Sequence, residues 1–340
     1  MSYNNIDNQG IAEVSVIMPV YNGQAYIDKG IMGVLNQSLY NIELIVVDDG
    51  STDNTAAICD QLACEDKRVI VLHEQHRGVT HARQIGLNHV GGKYVIHLDS
   101  DDFYDSTMLE NLVVCAEKNN SDMVICDWEV QDEQSKVYQS QKPTDFTREA
   151  VANDIISGKI HGSLCNKLIK TSIIKDNDIA FRTELKMRED MFFVLDVLLH
   201  INKISYLPKS LYTYNRMQNT RSLTQRYIAD VQNFYLQEIL FHSWILRYPL
   251  ISDGLLNYMR ERLMSDAYIT LVRNVFDEKK WCDLLRPYRE DLSNTSNSKY
   301  NKLLVLVALD HSYVIAQKWS KMLEIMRFRK MQILSLFGCA

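Results

Sequence analysis

Short apolar runs alternate with segments that have helical spacing of apolar positions over the first 126 residues. The apolar runs predict β-strands, and the run Ile42–Val47, with Glu43 as its one polar residue, predicts a strand buried on both faces. Strands separated by helices of about ten residues are typical of a doubly wound, mostly parallel sheet, so we expect an α/β fold. The predicted strands are 14–18, 42–47, 68–72, 94–98 and 123–126, and the predicted helices are 24–37, 52–63, 79–90 and 108–118.

The pattern changes after residue 130. Residues 131–147 are polar and predict a surface loop or hairpin, and two closing strands are predicted further on, at 204–208 and 211–214. From residue 225 apolar positions recur at helical spacing almost to the end of the sequence. We therefore predict an α/β domain over residues 12–224 and a helical C-terminal domain over residues 225–340.

Composition limits the class of protein. The chain of 340 residues has a net charge of −6, which argues against general nucleic-acid binding. It contains no run that approaches the roughly 18 apolar residues of a spanning helix, and its polar first ten residues lack a secretion signal. The seven cysteines are an odd number without CxxC spacing, as expected for reduced thiols, so we expect a cytoplasmic protein.

Three carboxylates follow the predicted strand 94–98 within four residues. Asp99, Asp101 and Asp102 would repel one another unless they share a cation. Hard cations such as Mg²⁺ and Mn²⁺ bind carboxylate oxygens, usually together with substrate phosphates, and ligands of open α/β sheets lie at the carboxyl ends of strands. We predict that a divalent metal and a phosphorylated ligand meet at Asp99 and Asp101. The alternative is a solvated acidic turn in which Asp102 or Asp105 caps the next helix.

The predicted strand 42–47 also ends in carboxylates. Asp48 and Asp49 precede a Gly-Ser turn that opens the next helix, and a carboxylate here can accept a hydrogen bond from an imide N–H such as N3–H of uracil. Alternatively, Asp49 and Asp53 only cap that helix, which is common. Because neighbouring parallel strands end at the same edge of a sheet, acids after two of them favour a shared crevice.

A further acidic pair precedes an apolar helix predicted at 191–199. The helix dipole can explain Glu189 and Asp190 by itself, because acids are stabilised at helix N-termini. An enzyme that activates a hydroxyl group also needs a carboxylate as general base, and Asp190 is a candidate for that role. The residues alone leave both interpretations open.

Cations that could offset the charge of a diphosphate occur at four positions: Arg83, Lys167, Arg216 and Arg221. Lone Lys and Arg side chains usually lie on the solvated surface. Arg83 and Lys167 are the stronger candidates because each lies near apolar positions.

Other polar signals are weak. Three histidines, His73, His76 and His81, crowd one region, match no zinc-site spacing and are predicted to be loop residues. No GxGxxG or P-loop sequence occurs, which disfavours dinucleotide-binding and ATP-binding classes.

Four motifs occur in the order and spacing of a known family. They are VSVIMPVYN at 14–22, VVDDGSTD at 46–53, ARQIGL at 82–87 and LDSDD at 98–102. With the segments Asn166–Leu168, Glu189–Asp190 and, more loosely, Tyr212–Arg216, the sequence resembles the family-2 glycosyltransferases of GT-A fold. The resemblance covers about residues 12–224 and leaves out the helical C-terminal third. One mild departure is Gln84, where the family usually has Asn.

The resemblance implies roles for the matching residues. In the donor pocket, Pro19, Val20 and Tyr21 would line the base and ribose site, Asp49 would recognise uracil, and Arg83 would lie near the base or phosphates. At the reacting centre, Asp99 would contact the ribose or sugar, Asp101 would hold the metal, and Asp190 would be the catalytic base. Weaker candidates are Asp48, Ser100, Asn166, Lys167, Glu189 and Arg216.

The resemblance also implies a reaction. It is transfer of a sugar from a UDP-sugar to the hydroxyl group of a saccharide or lipid-linked acceptor, with inversion and with Mn²⁺ or Mg²⁺ as cofactor, in synthesis of cell-surface polysaccharides or glycoconjugates. One alternative is a nucleotide-sugar-binding regulator without transfer activity. The other is a phosphatase of the haloacid-dehalogenase kind, whose DxDx(T/V) motif resembles Asp99–Asp102, although Phe103 stands where Thr or Val belongs.

The last helical segment combines apolar and aromatic residues with many basic ones. Over residues 318–337, apolar and aromatic side chains could form one face with basic side chains around it. A basic amphipathic helix can lie on an anionic membrane, which would put the protein at the inner face of the cell membrane. The alternative is a helix packed on a second copy of the chain in a homo-oligomer.

Overall fold

The chain divides into two compact units, residues 1–220 and 221–340. The first is an α/β unit, and the second is helical wherever it is described. The computed structural model describes residues 12–183, 185, 187–216, 230–296 and 299–322.

The described strands of the first unit form one mixed sheet. They are β1 (Val14–Val20), β2 (Ile42–Asp48), β3 (Val69–His73), β4 (Tyr94–His97), β5 (Phe103–Tyr104), β6 (Met123–Gln131), β7 (Lys136–Gln139), β8 (Lys167–Lys170) and β9 (Ile204–Asn215). Their order across the sheet is β3-β2-β1-β4-β8-β6-β9-β5, and β7 pairs with β6. The predicted α/β class is therefore confirmed.

The pairing is parallel in one half of the sheet and mixed in the other. β1 to β4 pair in parallel, as the sequence predicts. β8 then lies antiparallel between β4 and β6, while β6 and β9 are parallel and β5 is antiparallel to β9. The mostly parallel arrangement thus holds for the first four strands, and the rest of the sheet is more mixed than expected.

Two predicted segments take a more regular form than the sequence indicates. β7 pairs antiparallel with the end of β6, so the polar region 131–147 contains a hairpin. The two predicted closing strands are one continuous strand, β9, whose register shifts around Asp127. On either side of this bulge, Leu207 of β9 pairs with Cys126 and Ser210 pairs with Asp127. Pro208 lies in the bulge, where its lack of an N–H costs no hydrogen bond to the neighbouring strand.

Helices of the first unit cover the sheet. They are α1 (Ile27–Leu35), α2 (Thr55–Glu65), α3 (Val79–Asn88), α4 (Met108–Asn119), α5 (Arg148–Ile156), α6 (Thr171–Asp176) and α7 (Glu189–Leu198). Every residue of β1 is buried. In α1 the side chains of Ile27, Ile31 and Val34 are fully buried, because their spacing puts them on the one helical face that meets the sheet. The core therefore lies between the sheet and these helices.

Three adjacent strand ends form the edge where the candidate acids lie. The N–H of Asp49 donates to the carbonyl of Val20 (2.9 Å), which fixes the end of β2 beside the end of β1. The N–H of Leu98 donates to the carbonyl of Ile17 (3.0 Å), which fixes the end of β4 on the other side of β1. The two acidic strand ends therefore lie at one edge of the sheet, as predicted, but the expectation that their strands are neighbours is wrong, because β1 lies between β2 and β4.

The described part of the second unit is helical, as the sequence predicts. Its helices are α8 (Val231–Ile245), α9 (Asp253–Val272), α10 (Glu278–Leu285), a 3-10 turn (Arg286–Tyr288), α11 (Arg289–Ser293) and α12 (Lys299–Asp310), and residues 313–322 are also helical. Among the described residues, no helix is both long and apolar enough to cross a bilayer. Of the predicted amphipathic segment 318–337, residues 323–337 lie outside the described residues, as does Arg221.

Candidate active site

The carboxylates at the end of β2 are buried and hold the neighbouring loops. Asp48 accepts hydrogen bonds from the N–H of Ser51 (3.0 Å) and from His73 (3.1 Å). Asp49, with 2% of its surface exposed, accepts from the backbone N–H groups of Arg77 and Gly78, both at 2.8 Å. Asp49 thus fixes the loop between β3 and α3 and does not cap α2. Asp53 accepts from the N–H of Thr55 (3.0 Å), the first residue of α2, and the N-cap residue Asn54 makes no side-chain capping bond.

An aromatic pair lies beside Asp49. The rings of Tyr21 and His76 are stacked, with centroids 4.0 Å apart and planes at 17°. Nδ1 of His76 is 2.8 Å from the Asp49 carboxylate. His76 lies in a loop, as predicted, whereas His73 ends β3 and His81 lies in α3. Pro19 and Val20 are buried in β1, so Tyr21 is the exposed residue of the three predicted to line a base pocket.

The acidic cluster after β4 divides into two kinds of carboxylate. Asp102 is buried and accepts from the hydroxyl of Tyr212 and from the N–H of Asn215 (2.8 Å), so it ties this turn to β9 and does not cap α4. Asp105 does not cap α4 either, because its carboxylate accepts from the N–H of Thr107 (2.8 Å), the residue that precedes the helix. Asp99 and Asp101 are partly exposed, so solvent reaches both residues.

The electrostatics of this turn suit a divalent cation. Burial, together with the charges of Asp99 and Asp101, raises the pKa of Asp102 to about 8. Burial is the larger cause of this shift, and the charges of Asp99 and Asp101 add to it; a bound cation would offset those charges. Carboxylate oxygens at a strand end are the ligands that Mg²⁺ and Mn²⁺ prefer. The residues present therefore fit the divalent metal that the sequence predicts.

Arg83 is the centre of the site. Its guanidinium, 5% exposed, lies on α3 and pairs with Asp99 (3.0 Å) and Glu189 (2.7 Å). It also contacts the carboxylate of Asp190. One buried cation therefore joins the strand-end acid of β4 to both acids at the start of α7, although 107 residues separate Arg83 from Asp190.

The charge state of this cluster follows from its burial. Burial raises the pKa of Asp190 to about 8, although the positive charge of Arg83 acts in the opposite direction. The surrounding carboxylates, Asp190 foremost, overcome the effect of burial on Arg83 and raise its pKa, so the guanidinium stays charged. The Asp190 side chain remains one-fifth exposed. A carboxylate with a raised pKa and access to solvent is chemically suited to accept a proton.

Lys167 and Asn166 fix the loop before β8. The Lys167 ammonium is fully buried and donates to the carbonyls of His161 (2.8 Å) and Ser163 (2.7 Å) and to Oδ1 of Asn166 (2.8 Å). Burial lowers the pKa of Lys167 to about 8. Because these three contacts use all three of its hydrogens, Lys167 holds the loop and has none left for a diphosphate.

The remaining predicted residues, Ser100 and Arg216, differ in exposure. Ser100 is buried, and its carbonyl packs on α1 so closely that a Cβ at Gly30 would come within 2.5 Å of it. Arg216 is exposed, and its guanidinium lies 5.5 Å from the centre of the Tyr214 ring.

The sequence patterns did not indicate two further residues, Cys165 and His97. Cys165 donates from its thiol to Asp99 (3.3 Å). His97 is buried at the end of β4, where it packs edge-on against the stacked rings of Phe181 and Phe193, and its ring nitrogens have no hydrogen-bond partner within the described part of the chain. Burial lowers the pKa of His97, so it stays neutral. The one sequence signal for His97 is a polar residue inside an apolar run.

Comparisons with known proteins identify the family. The model of glycosyl transferase family 2 matches residues 15–176. Glycosyltransferase GlyG of Streptococcus pneumoniae is 30% identical over 224 residues, which cover 62% of this chain and 73% of GlyG. An uncharacterized glycosyltransferase of Haemophilus influenzae is 37% identical over 178 residues, 49% of this chain and 69% of that protein.

A solved structure confirms the fold. The crystal structure of Staphylococcus aureus TarS 1–349 in complex with UDP-GlcNAc superposes with a TM-score of 0.64 at 21% identity, covering 91% of this chain and 92% of that one. Together with this fold, the family match and the curated relatives identify a sugar-transferring enzyme. The chain belongs to glycosyltransferase family 2, and it is a glycosyltransferase.

Proposed function

We propose that this chain transfers a sugar from a UDP-sugar to a hydroxyl group of a saccharide or lipid-linked acceptor and inverts the anomeric centre. The observation that carries the proposal is the convergence of Asp99, Glu189 and Asp190 on the buried guanidinium of Arg83. It brings a candidate general base next to acids at the strand ends, where ligands of α/β sheets bind.

The proposed chemistry is a single displacement. Asp190 removes the proton from the acceptor hydroxyl as the oxygen attacks the anomeric carbon from the face opposite the nucleotide. The new C–O bond forms while the bond to the diphosphate breaks, and UDP leaves with the electron pair. The burial that raises the pKa of Asp190 makes its carboxylate a stronger base.

The donor would bind along the strand-end edge. In this proposal Tyr21 and Asp49 receive the uracil base beside Pro19 and Val20, and Asp99 contacts the ribose or sugar. Support comes from TarS, which shares the fold and has been crystallised with UDP-GlcNAc and with UDP.

Asp101 would hold Mn²⁺ or Mg²⁺. When bound, such an ion supplies positive charge that stabilises the leaving diphosphate. The crowded carboxylates around Asp102 support this assignment, as does a mannosyltransferase of Pyrobaculum calidifontis with a TM-score of 0.52 that was solved with GDP-Man and Mn²⁺.

Assays of donor turnover test the proposed function. Purified protein would be incubated with individual UDP-sugars, with and without Mn²⁺, and the UDP released would be measured. We expect metal-dependent release from at least one donor. Binding of UDP-sugars without release, with or without a panel of saccharide acceptors, would favour a regulator. Release of phosphate from simple phosphomonoesters would favour a phosphatase.

Replacing Asp101 with asparagine is expected to lower kcat/KM at a fixed Mn²⁺ concentration by at least about 100-fold, because the ion that offsets the diphosphate charge loses a ligand. The measurement is UDP release over a Mn²⁺ titration. Asp105→Asn is the matched control: Asp105 lies four residues away and its carboxylate accepts from the N–H and the hydroxyl of Thr107, so we expect the activity to change by less than about two-fold. Equal losses in the two variants would contradict the assignment.

We also propose that the helical unit touches the membrane surface. Trp319 and Met322 are exposed (46% and 54%), and Lys318 and Lys321 lie beside them in sequence. An apolar face flanked by cations suits anionic lipid, which would place the enzyme at the inner face of the cell membrane.

Vesicle sedimentation tests this contact. At low salt we expect the intact protein to sediment with vesicles that contain phosphatidylglycerol and to stay in solution with neutral vesicles. Lys318→Glu/Lys321→Glu should lower the bound fraction several-fold. Equal sedimentation with both lipids would contradict an electrostatic contact. Self-association in the absence of lipid, lost on the same substitutions, would favour a subunit interface instead.

A further inference from the structure

The imidazole of His76 is held like a small ligand. One face of the ring stacks on Tyr21 at a centroid distance of 4.0 Å. Nδ1 lies 2.8 Å from the carboxylate of Asp49 and 3.1 Å from its carbonyl oxygen. Both of these neighbours are acceptors, so Nδ1 carries the hydrogen and donates it.

Tyr21 and Asp49 therefore form a receptor for a planar heterocycle with a ring N–H. The tyrosine supplies an aromatic face, and the buried carboxylate supplies an acceptor in the plane of the ring. An imidazole and a pyrimidine with an imide N–H present the same two features. The receptor also lies at the ends of β1 and β2, on the edge of the sheet where ligands bind.

The ring of His76 can leave this receptor while its backbone stays in place. The side chain is 53% exposed, so solvent can take up its hydrogen bond. Asp49 keeps the N–H groups of Arg77 and Gly78 as partners without it. The loop backbone, in contrast, is packed against Gly50, where a Cβ would come within 2.7 Å of the His76 nitrogen. Rotation of the side chain, without movement of the loop, is sufficient to empty the receptor.

We propose that His76 and the base of the donor compete for the receptor formed by Tyr21 and Asp49. This inference rests on the proposed UDP-sugar donor. In the free enzyme His76 fills the receptor, and the base displaces it. A binding site that is open in only a fraction of molecules shows an affinity reduced by that fraction. His76 thus lowers the affinity for the donor and raises its KM.

The variant His76→Ala tests the competition. By isothermal titration in Mn²⁺, we expect it to bind UDP about 5–10-fold more tightly than the wild type, because the receptor is always open. The KM for the donor should fall by a similar factor while kcat stays within about two-fold of the wild-type value. Loss of structure would instead lower kcat and would not lower KM. The matched control is Gln75→Ala, an exposed neighbour in the same loop, which should bind UDP within about two-fold of the wild type.

The outcomes separate this inference from the proposed function. Unchanged or weaker binding of UDP by His76→Ala, with normal binding by the wild type and a normal melting temperature, overturns the competition and leaves the donor assignment intact. Failure of the wild type and both variants to bind UDP overturns the donor assignment and this inference with it. Tighter binding by Gln75→Ala as well would assign the effect to the loop as a whole and also overturn the inference.

Discussion

Asp190→Asn is expected to lower kcat for sugar transfer by about 10²–10⁴-fold while the Kd for UDP stays within about three-fold of the wild-type value. Asparagine keeps the size of the side chain but cannot accept the proton of the acceptor hydroxyl. The donor receptor at Tyr21 and Asp49 involves other residues, so nucleotide binding should persist. Initial rates of UDP release and isothermal titration with UDP measure the two quantities.

The dependence of the transfer rate on pH provides an independent test of the role of Asp190. A general base works only when it is deprotonated, and burial raises the pKa of Asp190 to about 8. The rate of the wild type should therefore rise between about pH 6.5 and pH 9 and be lost as the pH falls. Glu189→Gln is the matched control, with a loss below about ten-fold and a profile shifted towards lower pH, because the charge of Glu189 helps to raise the pKa of Asp190. Loss of UDP binding in Asp190→Asn would instead assign Asp190 a structural role.

Arg83→Met is expected to lower the free energy of unfolding by about 3–5 kcal/mol near neutral pH. The substitution removes the cation that Asp99, Glu189 and Asp190 share in a largely buried site and leaves the three carboxyl groups without it. Denaturant titration of the variant and the wild type measures the difference in the free energy of unfolding.

An exposed ion pair provides the control for this substitution. Lys93 and Glu117 are each 46% exposed, so Lys93→Met should cost about 1 kcal/mol or less. If Arg83→Met costs no more than Lys93→Met, the three carboxylates do not depend on Arg83. In that case the site is held by other contacts, such as the hydrogen bond from Cys165 to Asp99.

Local signals in the sequence were sufficient for the strand-end half of the site. β2 and β4 are short apolar runs that stop at acids, and parallel pairing of both strands with β1 brings Asp49 and Asp99 to one edge of the sheet. The type and approximate bounds of the first helices follow from apolar spacing in the same way. These predictions succeed because each depends on residues close together in the chain.

The long-range half of the site could not be predicted in this way. Nothing in the sequence around Arg83 indicates that its partners begin a helix about a hundred residues later. The antiparallel insertion of β8 between β4 and β6 likewise depends on the whole sheet. Lys167 looks like a candidate for binding phosphate, but the carbonyl groups that surround it come from a loop whose path no periodicity specifies.

The separation of 107 residues between Arg83 and Asp190 also orders events during synthesis on the ribosome. At roughly 5–20 residues per second, about 5–20 s pass between translation of the arginine and of its aspartate partner. For most of that interval the nascent chain already contains the strands that carry Asp49 and Asp99, but not the proposed proton acceptor Asp190. A growing chain can thus gain the means to hold a nucleotide before it gains the means to use one.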